Sequence, residues 1–238
     1  VSEEALVGRS VLVTGASRGI GRRTAALLAD AGARVWCLGR SSEALAALAR
    51  EIGGEVVVAD LTDDLGTWEA LEAMQEALGG PPDIVVNSAG AFGIGSCASE
   101  SVRQFDAQIA VNLRGPFLVV RTLLPAMLER GSGLIINIGS VAGRKAIPGN
   151  AAYAASKYGL RGYHEVLVEE LRGTGLRASL VEPAATDTEL WDSLDPDSDP
   201  ALPSRDTMLR VDDVARAILF VATRPPAVAI PALQVERA

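Results

Sequence analysis

Residues 10–21 read SVLVTGASRGIG, an unbroken apolar run that ends in a turn carrying three glycines. The segment that follows, GRRTAALLADAG at 21–32, repeats its apolar residues at helical spacing. A strand that enters a helix through so short a turn opens a βαβ unit. The same rhythm continues along the chain, with strand candidates RVWCLG (34–39), EVVVAD (55–60), DIVVNSAG (83–90), GLIINIGS (133–140) and RASLVEP (177–183). Each is nearly continuous in apolar residues, as parallel strands covered on both faces require. Helical stretches such as SSEALAALAREIGG (41–54) lie between them, ending in a glycine stop. The expected fold is α/β, a doubly wound parallel sheet with helices on both faces. A last stretch, VAIPALQVERA (228–238), supplies a seventh strand.

No linker or break in composition interrupts the pattern, so 1–238 is expected to form a single domain. With 238 residues, 48% of them hydrophobic, the chain can bury a sizeable core. A net charge of -8 provides no basic field for nucleic acid or an anionic membrane surface. No run reaches the ~18 apolar residues of a membrane span. The opening VSEEALVGRS has acids where a signal peptide has bases. A start at Val1 rather than Met is compatible with loss of a short targeting piece. Two cysteines, Cys37 and Cys97, do not make a disulfide framework. Both are expected to be small buried or half-buried residues, and the expected compartment is the cytoplasm.

The turn after the first strand is suited to a phosphate. Gly15, Gly19 and Gly21 let the backbone turn tightly and let a diphosphate approach the helix N-terminus. Their spacing is G-x-x-x-G-x-G rather than G-x-G-x-x-G. At the end of the second strand an NAD site offers an acid to the ribose 2′-hydroxyl, whereas an NADP site offers arginine. Here the strand ends LGRSS: Gly39 stands in the acid's place and Arg40 follows. Arg18 from the glycine turn and the hydroxyl of Ser41 can join Arg40 on a 2′-phosphate, which favours NADP over NAD. Asp60, closing the third strand, is placed to accept from an adenine amino group.

Two apolar helical stripes carry polar residues. In NAAYAASKYGL (150–160), Tyr153 and Lys157 share a narrow stripe with Leu160, His164, Leu167 and Leu171. That puts Lys157 at the edge of the core, where an ammonium needs partners; a ribose diol would supply them. His164 on the same stripe reads as a satisfied structural histidine. In the second stripe Asn112 lines up with Phe105, Ile109, Pro116, Leu123 and Met127. Pro116 has no N–H for the Asn112 carbonyl, so a kink and a free carbonyl are expected there. Ser140 closes the fifth strand, in the zone beyond the carboxyl ends where open α/β sheets bind ligands. Residues 187–204, DTELWDSLDPDSDPALPS, follow the sixth strand as a candidate substrate lid or as a solvated acidic loop.

In order along the chain, TGASRGIG, the Asp60 of VADLT, NSAG at 87–90, Asn112, Ser140 and the Y-x-x-x-K of Tyr153 and Lys157 resemble the short-chain dehydrogenase/reductase family. The resemblance implies a Rossmann-like fold and a Ser140–Tyr153–Lys157 triad extended by Asn112. Tyr153 would act as general acid/base, with Lys157 and an oxidised nicotinamide lowering its pKa. Ser140 would hold the substrate oxygen, Lys157 the nicotinamide ribose, and Asn112 a water that relays protons. The implied NADP contacts add Ser17, Ile20, Leu61, Asn87, Ala89, Gly90, Pro183 and Thr188 to those above, together with Tyr153 and Lys157. No metal is implied. Two positions depart from the family pattern: NSAG for the commoner Asn-Asn-Ala-Gly, and Ala184 where glycine usually follows the proline.

The implied activity is NADP(H)-dependent interconversion of a small carbonyl compound and its alcohol. INIGSVAG and the unusual C-terminal stretch look like the branch of NADP-dependent 3-hydroxy acid and serine dehydrogenases. For an acid substrate, Arg144 and Lys145 are the nearest cations to Ser140. A 3-oxoacyl thioester reductase is the alternative substrate class, and a non-catalytic NADP-binding sensor or scaffold the alternative function. Family analogy adds a homodimer or homotetramer built on the helices at 101–130 and 153–173.

Overall fold

The computed structural model describes residues 5–238. The expectation for the first residues of the N-terminus therefore lies outside the described part. Seven strands form one sheet: β1 (Ser10–Thr14), β2 (Arg34–Gly39), β3 (Glu55–Val58), β4 (Ile84–Asn87), β5 (Gly133–Ile138), β6 (Leu176–Pro183) and β7 (Ala232–Val235). Every neighbouring pair is parallel, in the order β3-β2-β1-β4-β5-β6-β7. The expected doubly wound sheet is thus found, seventh strand included. Its order reverses between β1 and β4, and such a switch point opens a crevice at the strands' carboxyl ends.

The helices are α1 (Gly19–Asp30), α2 (Ser42–Ile52), α3 (Asp64–Leu78), α4 (Val102–Ile109), α5 (Gly115–Arg130), α6 (Ala151–Glu170) and α7 (Val211–Ala222). Alternation along the strands explains why both faces carry helices. Val11, Val13, Val35, Cys37, Ile84 and Val86 point to one side and pack with Leu27 and Leu28 of α1, Leu45 and Leu48 of α2, and Val214 and Ile218 of α7. Leu12, Trp36, Leu38, Val85 and Ile135 point to the other, against Leu71 and Met74 of α3, Leu123 and Met127 of α5, and Leu167 of α6. An unbroken apolar strand is thus two half-patterns, one for each layer.

Three expectations are corrected. Cys37 is buried as expected, but Cys97 is exposed, on the loop after β4. At Pro116, where a kink and a free Asn112 carbonyl are expected, the helix runs on through a local change of winding. A single π turn, Ala110–Arg114, joins α4 to α5, and its widened bonding carries the chain up to a proline that lacks a donor. The resulting run, Val102–Arg130, is 29 residues long and apolar enough by length and composition to cross a membrane, where no such run was expected. A third of its most apolar window is buried inside the fold.

Candidate active site

The glycine turn connects β1 to α1 without room for side chains. A Cβ on Gly21 would lie 2.3 Å from the Gly15 carbonyl oxygen, and one on Gly15 would lie 2.6 Å from Ala89 Cα. Gly15 also sits at φ +67°, in the left-handed region. Arg18 caps α1 in an extended conformation without a side-chain hydrogen bond, and the first turn of α1 holds no acid. Its N–H groups are therefore open to an anion.

A cleft of about 410 Å³ begins at this turn and crosses the switch point. Gly15, Ser17, Arg18, Gly19, Ile20 and Gly21 form one wall. Arg40, Asp60, Leu61, Ala89, Gly90 and Thr188 complete much of the rest. Arg40 is largely exposed, 3.9 Å from Asp60. One Asp60 oxygen accepts from the Thr62 N–H and hydroxyl at 3.0 and 2.8 Å, and the other is the one that faces Arg40. These bonds and the Arg40 charge hold the Asp60 carboxyl below its ordinary value, outweighing partial burial, the largest single effect. This lining suits a dinucleotide: a bare glycine turn open to a diphosphate, two guanidinium groups and a carboxylate.

The other implied contacts lie off this wall. Ser41 caps α2, accepting from Ala44 N at 3.4 Å. Asn87 is buried, donating to Asn137 Oδ1 at 2.9 Å. Pro183 closes β6. Asn137 in turn approaches His164 Nδ1 at 3.3 Å, and His164 Nε2 lies 2.8 Å from the Pro231 carbonyl. A carbonyl only accepts, so Nε2 carries the proton and Nδ1 accepts from Asn137. Burial lowers the His164 pKa, keeping this neutral tautomer. It is the satisfied structural histidine that its place on the stripe suggests.

Helix α6 turns Tyr153 and Lys157 toward the end of β5. Lys157 is 5% exposed, and its Nζ donates to the Ile138 carbonyl at 2.8 Å, two residues before Ser140. Burial pushes its pKa down to about 8. The Nζ stands 5.6 Å from the centre of the Tyr153 ring. Burial also pushes the Tyr153 phenol upward, with the Ser140 hydroxyl beside it acting the other way. Desolvation here outweighs the Ser140 contact; the lowering that the resemblance implies draws on the charge of an oxidised nicotinamide as well. Ser140 itself is buried and accepts from Ala142 N at 3.1 Å.

Asn112 sits in the π turn, fully buried. Its Oδ1 accepts from Ala91 N at 2.8 Å, while its Nδ2 donates to Ala91 O at 2.8 Å and to Ser156 Oγ at 3.0 Å. It thus joins the loop after β4 to α6, one residue from Lys157.

The sequence does not single out Phe92. Its ring lies edge-on to Tyr153, centroids 4.8 Å apart at 77°, and Trp191 from the 187–204 segment meets its other side at 4.8 Å. The only sequence signal is an aromatic residue two places after the NSAG turn. Glu182, also missed, shows as a glutamate ending an otherwise apolar strand. It is 1% exposed, 2.7 Å from Arg144 Nε and 3.1 Å from Arg161.

Comparison with known proteins fits this arrangement. Residues 9–199 match the family model described as short chain dehydrogenase. The chain belongs to that family. It is an oxidoreductase of the group that acts on CH–OH compounds with a nicotinamide cofactor. Among its relatives is D-threitol dehydrogenase of Mycolicibacterium smegmatis, 34% identical over 92% of this chain and 87% of the relative. Among solved structures, a metagenomic short-chain oxidoreductase in complex with NADP is 35% identical, with a TM-score of 0.82 over 98% of this chain and 99% of that one. The closed form of serine dehydrogenase complexed with NADP+ is 31% identical, with a TM-score of 0.85 over 95% and 94%.

Proposed function

We propose that this short chain dehydrogenase is an NADPH-linked reductase of a small carbonyl compound, also able to run the reverse alcohol oxidation. The observation that carries the reading is Lys157. An ammonium buried to 5% exposure is costly, yet here it is fixed between Ile138 O and Tyr153, beside Ser140. When bound, the dinucleotide supplies the hydride to the carbonyl carbon or takes it back from the alcohol. As the C=O electron pair moves onto oxygen, Ser140 holds that oxygen and Tyr153 delivers its phenolic proton to it. Lys157 would restore the proton on Tyr153, drawing one in turn from solvent, and would hold the nicotinamide ribose. Asn112 fixes the loop and helix on either side, and Thr188, which lies against Gly19, would hold the carboxamide.

NADP rather than NAD is favoured by Arg18 and Arg40 lining the same cleft and by Gly39 in place of an acid. Two of the structural relatives above are NADP complexes. Residues 187–204 act as the lid, with Trp191 at its inner edge. The chain pairs with itself through the helices at 101–130 and 153–173, whose outer faces expose Phe105, Phe117, Tyr158 and Val166. The cofactor assignment is tested by titrating Arg40→Ala with both dinucleotides. We expect NADPH affinity to fall about tenfold or more, the worth of a charge-assisted pair, with NADH affinity nearly unchanged. Equal affinity of the unmutated protein for NADH and NADPH contradicts it.

A further inference from the structure

We propose that the site takes an uncharged ketone or aldehyde bearing a flat apolar substituent, and that it discriminates against carboxylates. The inference rests on the reductase reading and extends it to a substrate class.

The cations that could hold a carboxylate near Ser140 are already engaged. Arg144 lies four residues beyond Ser140, and its guanidinium meets the buried Glu182 at 2.7 Å from Nε and 2.6 Å from Nη2. With its amide turned to match its donors, Gln234 of β7 accepts from the same guanidinium at 2.9 and 3.2 Å. Arg161 closes on the other oxygen of Glu182 at 3.1 Å. Lys145 faces Glu236 at 3.9 Å. On the lid, Arg205 pairs with Asp187, and with Asp192 at 2.6 Å. A substrate carboxylate would have to take Arg144 from Glu182 and leave a buried acid short of a partner, an expensive exchange.

The surface presented to the substituent is aromatic instead. Tyr153, Phe92 and Trp191 form a continuous series of rings with successive centroids 4.8 Å apart, running from the reacting oxygen's neighbour outward to the lid. Phe92 comes from the loop after β4 and Trp191 from the lid, and the two rings meet beside Tyr153. A flat apolar group set against them gains area burial and ring–ring contact.

A matched set of keto compounds tests this with the unmutated enzyme: methyl benzoylformate, benzoylformate and methyl pyruvate, each followed by NADPH oxidation. The ester and the acid share the carbonyl and the phenyl ring and differ in charge. We expect kcat/KM for methyl benzoylformate to exceed that for benzoylformate by about 100-fold, because the acid has to separate Arg144 from buried Glu182. It should also exceed that for methyl pyruvate, and Trp191→Ala should shrink that second preference about fivefold or more through KM. Equal use of acid and ester overturns the charge argument; a phenyl preference untouched in Trp191→Ala overturns the aromatic one. If none of the three is reduced while other carbonyl compounds are, the substrate class is wrong and the reductase reading stands. If no carbonyl compound is reduced although NADPH binds, the reductase reading fails and this proposal with it.

Discussion

At the residue scale Lys157 is the most informative position, because it would destabilise the fold if it had no function. Its pKa falls from 10.5 to about 8 through burial. Below pH 8 it is protonated in both folded and unfolded chains, and the folded state carries the full penalty. Between pH 8 and 10.5 the unfolded chain holds the proton that the folded one has shed, so stability rises with pH across that window. Removing the charge by Lys157→Met should therefore stabilise the protein at pH 7 by about 1–3 kcal/mol, part of the gain being lost with the bond to Ile138. The advantage should fade as pH passes from 8 to 10.5. Denaturant melts at several pH values measure this, and a variant less stable than the parent at pH 7 contradicts it. A residue that weakens the fold and is nonetheless fixed by geometry is expected at a functional site.

At the element scale the π turn matters most. It places Asn112 so that one side chain joins the loop after β4 to α6 through three hydrogen bonds. Asn112→Ala leaves the Ala91 N–H and carbonyl without their partner, and should cost about 2–4 kcal/mol in urea unfolding. A loss below about 0.5 kcal/mol would show that the contact holds nothing together. Only part of this was legible beforehand. The apolar stripe through Asn112 and the proline after it signalled a buried anomaly, but α and π turns share that spacing. In β3, the run EVVV has the composition of a fully buried strand, yet it forms the sheet edge, with Val56 and Val58 exposed. Neither edge position nor helix type is encoded in a window of neighbouring residues. Both depend on what packs alongside.

At the scale of the whole molecule, the parallel sheet gathers residues distant in sequence at one end. Thr14, Asn87, Ile138 and Pro183 all end strands there, so the glycine turn, the Ser140 loop, α6 and the lid meet at one crevice. The strands were legible because each apolar run and each glycine turn carries its own local signal. The Phe92–Trp191 contact and the Arg144–Glu182 pair were not, since each joins segments whose meeting depends on the lid or on adjacent strands. We propose that this convergence makes Tyr153 the proton donor of a carbonyl reduction. Tyr153→Phe, assayed in parallel for turnover and for NADPH affinity, tests this. We expect kcat to fall by about 10²-fold or more, the usual contribution of a general acid, with NADPH affinity within about threefold of the parent. Turnover within tenfold of the parent, at equal NADPH affinity, would contradict it.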